Sequence, residues 1–251
     1  MSCGSVILCF ITKSNNHIIR KMKRILLSIL ITISLTSCRN YENLSKAGNK
    51  IAEYCGSNDV TASISNFTST DKGSIDSYEI KIRNVADINN GSYPSEYLAS
   101  IAAKTLFDNL NQEERNDRDL IVVSIETPDK KFEYNYSIKE LSKVDQYFAI
   151  TKEFIQKLKD GDLENLANHL NRKTINIDEF NKNIIQTVIV KNQSVFNKIE
   201  KIDLHSINFS TVDNNKVTEL ISFAVFGDSH IKFSTRFIDS NPKKIAGITI
   251  N

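Results

Sequence analysis

Tryptophan is absent and proline occurs only three times, but the more telling shortages are in side chains that do chemistry. Beyond residue 37 there are two cysteines, Cys38 and Cys55, and three histidines, His169, His205 and His230. The histidines are far apart in the chain, with no HxH or HExxH spacing, so no histidine-based metal motif is encoded. Two cysteines cannot build a cysteine-based metal site, and no glycine-rich phosphate loop is present. A membrane-spanning helix needs about 20 apolar residues. The apolar run at 25–35 has 11, interrupted by Ser28, Thr32 and Ser34. A basic excess is missing as well. The chain holds 32 basic and 30 acidic residues, and five of the cations (Lys13, Arg20, Lys21, Lys23 and Arg24) lie in residues 1–37, where there is no carboxylate. The remainder therefore has 27 basic against 30 acidic side chains, a net charge of −3. That balance argues against a nucleic-acid role, which needs a basic footprint on the folded part, and against a polybasic membrane patch.

What is present is an export signal. Met22 to Cys38, MKRILLSILITISLTSC, starts with Lys23 and Arg24, continues through the short apolar run and ends in Leu35-Thr36-Ser37-Cys38. A charged start, an apolar middle and small residues before a cut site are the parts of a signal peptide. The ending resembles the lipobox of bacterial lipoproteins. That resemblance implies cleavage before Cys38, a diacylglyceryl thioether on its sulfur, and a lipid-anchored protein of the bacterial cell envelope facing the periplasm or the cell surface. Arg39 stands where an aspartate would retain an enteric lipoprotein in the inner membrane, which points to the outer membrane in a Gram-negative cell. Residues 1–21 precede the second methionine and read as an upstream extension of the reading frame, with 22–37 as the signal peptide. Once Cys38 is lipidated no internal disulfide can form, so Cys55 is expected as a small buried or half-buried side chain, or as the donor of an intermolecular disulfide.

The chain after the cut reads as an α+β fold in two domains. Residues 38–58 form a tether and a short helix at 44–54, with Leu44, Ala47, Gly48 and Ile51 at helical spacing. Residues 59–140 read as strand, strand, helix, strand, strand. Tyr78, Ile80 and Ile82 alternate with Glu79, Lys81 and Arg83; Pro94 opens the helix; Phe132, Tyr134 and Tyr136 alternate in the last strand. The expectation is one small antiparallel sheet with a helix laid on it. The charged run 113–119 reads as a solvated connection. Residues 141–251 read as three helices and four antiparallel strands. The first helix carries Val144, Tyr147, Phe148, Thr151, Phe154, Ile155 and Leu158 on one face. Asp162 is expected to cap the second, with Leu163, Leu166, Ala167 and Leu170, and Asp178 the third, with Phe180, Ile184 and Val188.

The order of these elements, with FIQKLKDGDLENLANHL at 154–170 and KKIAGITIN at 243–251, is similar to the nuclear-transport-factor-two-like superfamily. The resemblance implies a cone-shaped domain of three helices and a curved four-stranded sheet. Members include enzymes and binding modules, so the fold alone does not choose a function.

An enzyme of that kind would hold its acid or base inside the cone. The candidates are Asp203, His205, Asp228 and His230, with His169 expected at the surface. Phe209, Phe223, Phe226, Phe233 and Phe237 read as the packed interface of strands and helices, or as the lining of an apolar pocket. Because no partner for a catalytic histidine is visible in the sequence, the expectation is a non-enzymatic binding or structural module, without cofactor or metal. Its partners would be the membrane, through the lipid on Cys38, and a protein or a small apolar ligand. The alternative is a small-molecule enzyme using the cavity of the C-terminal domain.

Overall fold

The computed structural model describes residues 42–69 and 73–251. The segment read as a signal peptide, 22–37, and Cys38 lie outside the described residues. The architecture is α+β, built on two four-stranded sheets, and residues 43–251 form one compact unit with a continuous hydrophobic core.

The first helix, α1 (42–55), buries Leu44, Ala47 and Ile51, as its spacing requires. It lies on strand β1, with Gly48 close to Ala62. The first sheet has the order β1 (Asp59–Ser69), β2 (Gly73–Arg83), β3 (Leu120–Glu126), β4 (Lys131–Ser137). Its register puts Ala62, Ile80, Val123 and Tyr134 in one cross-strand row, and Val60, Ile82, Ile125 and Phe132 in the next. All these side chains share one face, and Glu79, Lys81, Glu126 and Glu133 share the other, so the sheet is covered on one side and wet on the other.

The expectation of an all-antiparallel sheet fails at its centre: β2 and β3 are parallel, with Ser77 opposite Leu120 and Arg83 opposite Glu126. The chain leaves β2 and passes through α2 (Ala86–Asn89), α3 (Ser95–Asn109) and α4 (Gln112–Asp117) before re-entering the sheet from the same end. A helical crossover allows a parallel pair where a tight hairpin cannot, and side-chain alternation carries no information on strand direction. The run 113–119 also differs from its reading. It contains α4, started by a reciprocal capping box in which Asn111 Oδ1 accepts from the Glu114 N–H and Glu114 Oε2 accepts from the Asn111 N–H. Glu114 is 4% exposed and its carboxylate also accepts from Asn43 Nδ2 at 2.8 Å, which ties α1 to α4.

After α5 (Ile138–Leu141), helix α6 (Val144–Asp160) buries Val144, Tyr147, Thr151, Phe154, Ile155 and Leu158. It stops at Gly161, whose φ of 71° is the left-handed conformation glycine adopts without steric cost. The second helix expected here is reduced to a 3₁₀ turn, Leu166–His169. The Asp162 carboxylate does not cap it; it is held by Lys157 Nζ and Asn165 Nδ2, each at 2.8 Å. The third is capped by Asn176 rather than Asp178: Asn176 Oδ1 accepts from the backbone of Asp178 and Glu179. It runs from α7 (Ile177–Phe180) through a π-helical segment (Asn181–Ile189) and a 3₁₀ turn (Val190–Asn192) into α8 (Gln193–Phe196). The wider π turn explains why Phe180, Ile185 and Ile189 are buried rather than the predicted series at every fourth residue.

The second sheet is an antiparallel meander, β5 (Lys201–Val212), β6 (Asn215–Phe226), β7 (Ser229–Ile238) and β8 (Asn241–Ile250), as expected. Its inner face packs on α6 and the third helical stretch. Tyr147 stacks on Phe237 with centroids 4.5 Å apart, Phe196 meets Phe233 edge-on at 6.4 Å, and the Thr151 and Thr235 hydroxyls bond at 2.9 Å.

Helix α3 joins the halves. It packs on β3 and β4 and also on the edge strand β5. Ser100, fully buried, donates to the Tyr97 carbonyl, accepts the Ile207 N–H at 3.0 Å and lies 3.3 Å from the Ser206 hydroxyl. Replacing Ser100 by alanine leaves a buried Ile207 N–H without its acceptor, a loss of about 1–3 kcal/mol. Denaturant unfolding of Ser100→Ala should show a lower midpoint with an unchanged slope, and an unchanged midpoint would show that this bond does not hold the halves.

Candidate functional site

Strand β5 pairs with β6 in register except between Leu204 and Ser206, where a bulge leaves His205 out of the ladder. A bulge re-aims the side chain it carries. Here it brings the imidazole onto Phe223 of β6, stacked at 4.1 Å, and the other face of Phe223 stacks on His230 of β7 at 4.2 Å. The three rings form a ladder across three strands, on the sheet face opposite the α6 packing. From the other half of the molecule, Tyr93 and Tyr97 meet the His205 ring edge-on at 5.5 and 5.7 Å, and the Tyr93 hydroxyl bonds His205 Nε2 at 3.2 Å. Pro94 makes this approach possible: with ψ of 127° it turns the chain from Tyr93 into α3, whose first turn holds Tyr97.

Beside the ladder is a cleft of about 280 Å³ lined by Tyr54, Cys55, Val85, Asp87, Tyr93, Leu98 and His205. Its chemistry is quiet. Burial first, then the neighbouring His230 and Lys232, push the His205 pKa below its ordinary value, so the ring is held neutral. Burial also raises the Tyr93 pKa, helped by a hydrogen bond with Tyr54. Cys55 is half-buried, as expected; its thiol lies 3.8 Å from the Ala52 carbonyl, and burial raises its pKa, which disfavours the nucleophilic thiolate.

The carboxylate candidates do not join these rings. Asp203 is exposed and paired with Lys201 at 2.8 Å; Asp228 is exposed in the β6–β7 turn. Among the described residues neither His205 nor His230 has a carboxylate partner, and no group of three His, Cys, Asp or Glu side chains is placed to hold a metal ion. His169 is not at the open surface: its side chain is 15% exposed and lies 4.0 Å from Glu153, and burial lowers its pKa. The five phenylalanines divide. Phe233 and Phe237 are fully buried in the inner face, whereas Phe209, Phe223 and Phe226 are half-buried. Tyr93 and Tyr97 were not legible as site residues, because they meet His205 only through the packing of α3 on β5. A tyrosine immediately before a helix-opening proline is the one local signal.

No family model matches the chain, and neither a curated protein nor a solved structure is similar to it.

The depressed His205 pKa has a consequence for stability. The unfolded ring, with its ordinary pKa near 6.5, binds more protons than the folded one, so unfolding free energy rises with pH through that region and falls as pH drops below it. His169 contributes with the same sign. Thermal midpoints measured from pH 7.5 to pH 5.5 should therefore fall, and His205→Gln should flatten part of that fall. A midpoint that rises as pH drops over this range contradicts the assignment.

Proposed function

We propose that this chain is a lipid-anchored bacterial envelope protein whose folded body is a non-enzymatic binding or structural module. The address rests on Leu35-Thr36-Ser37-Cys38 and the charged and apolar segments before it. One observation carries the non-enzymatic part: the space between the helices and β5–β8, where a catalytic cavity would lie, is filled by Tyr147, Phe154, Phe196, Phe233 and Phe237, none more than 1% exposed. A filled interior suits a packed scaffold, because a reacting group needs room and a positioned partner. In this reading residues 141–251 are a nuclear-transport-factor-two-like domain with a closed interior, and what binding there is takes place on the outside of the sheets. The aromatic ladder of His205, Phe223 and His230, with Tyr93 beside it, offers ring faces and edges to a protein partner or a small apolar ligand.

Metabolic labelling with radioactive palmitate in a bacterial host tests the address. The wild-type chain should take up label and mature to a mass that begins at a modified Cys38. Cys38→Ala should take up none and keep its signal peptide, on a precursor that starts at Met22. Equal labelling of the two chains removes the anchor from the account.

A further inference from the structure

The second cleft of interest lies at the other end of α3 and is unlike the aromatic one. It has a volume of about 380 Å³ and is lined by Phe107, Gln112, Arg115, Asn116, Arg118, Asp119, Ile138, Lys139 and Ser142. Three cations face one carboxylate. One of the three, Arg118, is neutralised by Asp117, which leaves Arg115 and Lys139 against Asp119.

Arg115 is set in place for a ligand. Its guanidinium lies over the Phe107 ring, 4.2 Å from the centroid, and its Nε donates to the Phe107 carbonyl at 3.1 Å. One of the five guanidinium N–H donors is thereby used to fix the plane, and among the described residues no carboxylate takes the others. A fixed, unpaired guanidinium matches the two oxygens of a phosphate or carboxylate with little entropy left to lose. Lys139 is exposed and likewise has no ion-pair partner among the described residues. Arg118 is already committed: it pairs with Asp117 at 3.2 Å and lies over Tyr78. The Asn116 amide adds a neutral donor, its Oδ1 being held by Gln112 Nε2.

The position of the cleft suggests where the anion comes from. Asn43 is bonded to Glu114, the residue before Arg115. Asn43 is the fifth residue after Cys38, and an extended chain of that length spans at most about 18 Å. If Cys38 carries lipid, the chain that enters the body at Asn43, bonded to the residue before Arg115, is the one that carries the anchor. An anionic bilayer repels a body of net charge −3 and attracts a local group of cations within roughly a Debye length, ~8–10 Å. We propose that the Arg115–Lys139 cleft binds a phosphate oxyanion, supplied by the headgroup of an anionic phospholipid in the membrane that carries the protein. The oxyanion site stands on the cleft's own geometry; the headgroup as its source rests on the lipid-anchor reading.

Thermal unfolding of the full chain in non-ionic detergent, followed by circular dichroism, tests both parts. One arm adds inorganic phosphate, the other short-chain phosphatidylglycerol, each against sodium chloride at equal ionic strength. A ligand that binds only the folded state should raise the midpoint by about 2–4 °C at saturating concentration. The expected result is a rise with phosphatidylglycerol that is at least halved in Arg115→Gln and in Lys139→Gln. Lys139 is exposed and its side chain has no ion-pair partner among the described residues, so its variant keeps the test valid should the Arg115 variant be unstable. A rise with inorganic phosphate but none with phosphatidylglycerol overturns the headgroup as the source. No rise in either arm, or an equal rise in the wild type and Lys139→Gln, overturns the site. The intact mass at Cys38, read on the same sample, reports on the anchor separately.

Discussion

The burial of α3 between two sheets is the constraint on which the rest depends. A helix that covers a single sheet needs one apolar stripe, but α3 is buried on most of its surface: Leu98, Ala99, Ser100, Ala102, Ala103, Lys104, Leu106 and Phe107 are all inside. The edge strand β5 comes close enough for the Ser100 hydroxyl to take the Ile207 N–H. The same helix also packs on β3 and β4. Lys104, 6% exposed, is held by Asp108 on its own helix at 2.5 Å and by Asp145 at the start of α6 at 2.8 Å. A buried ammonium is costly unless paired, so this contact fixes how α6, and with it the second sheet, meets α3.

Both clefts follow from that joint. The bulge at His205 would aim a lone histidine at solvent; with α3 in place it meets Tyr93 and Tyr97, and a phenol rather than a carboxylate bonds its nitrogen. At the far end of the same helix, Phe107 is the surface on which Arg115 lies. One end of α3 therefore presents rings and the other presents charge. Among the described residues, neither arrangement brings a carboxylate to a histidine.

The sequence made much of this legible. Alternation placed Tyr78, Ile80 and Ile82 on the inner face, and the spacing of α6 named its buried residues. The misses have physical causes. Strand direction in the first sheet is set by the crossover, which period-two alternation does not record. The helix at Gln112–Asp117 has almost no apolar residues to reveal it, being held by its capping box and by the bonds of Glu114 to Asn43 and Tyr78. The π segment moves the buried positions after Phe180 one residue on, from Ile184 and Val188 to Ile185 and Ile189. The aromatic cleft draws on positions as far apart as Tyr54 and His205, which no local pattern connects.

If α3 makes one body of the two sheets, they unfold together. Differential scanning calorimetry of the full chain measures this directly. The account predicts a single transition whose calorimetric and van't Hoff enthalpies agree. Two resolved transitions, or a calorimetric enthalpy well above the van't Hoff value, would contradict it by showing two units that melt independently.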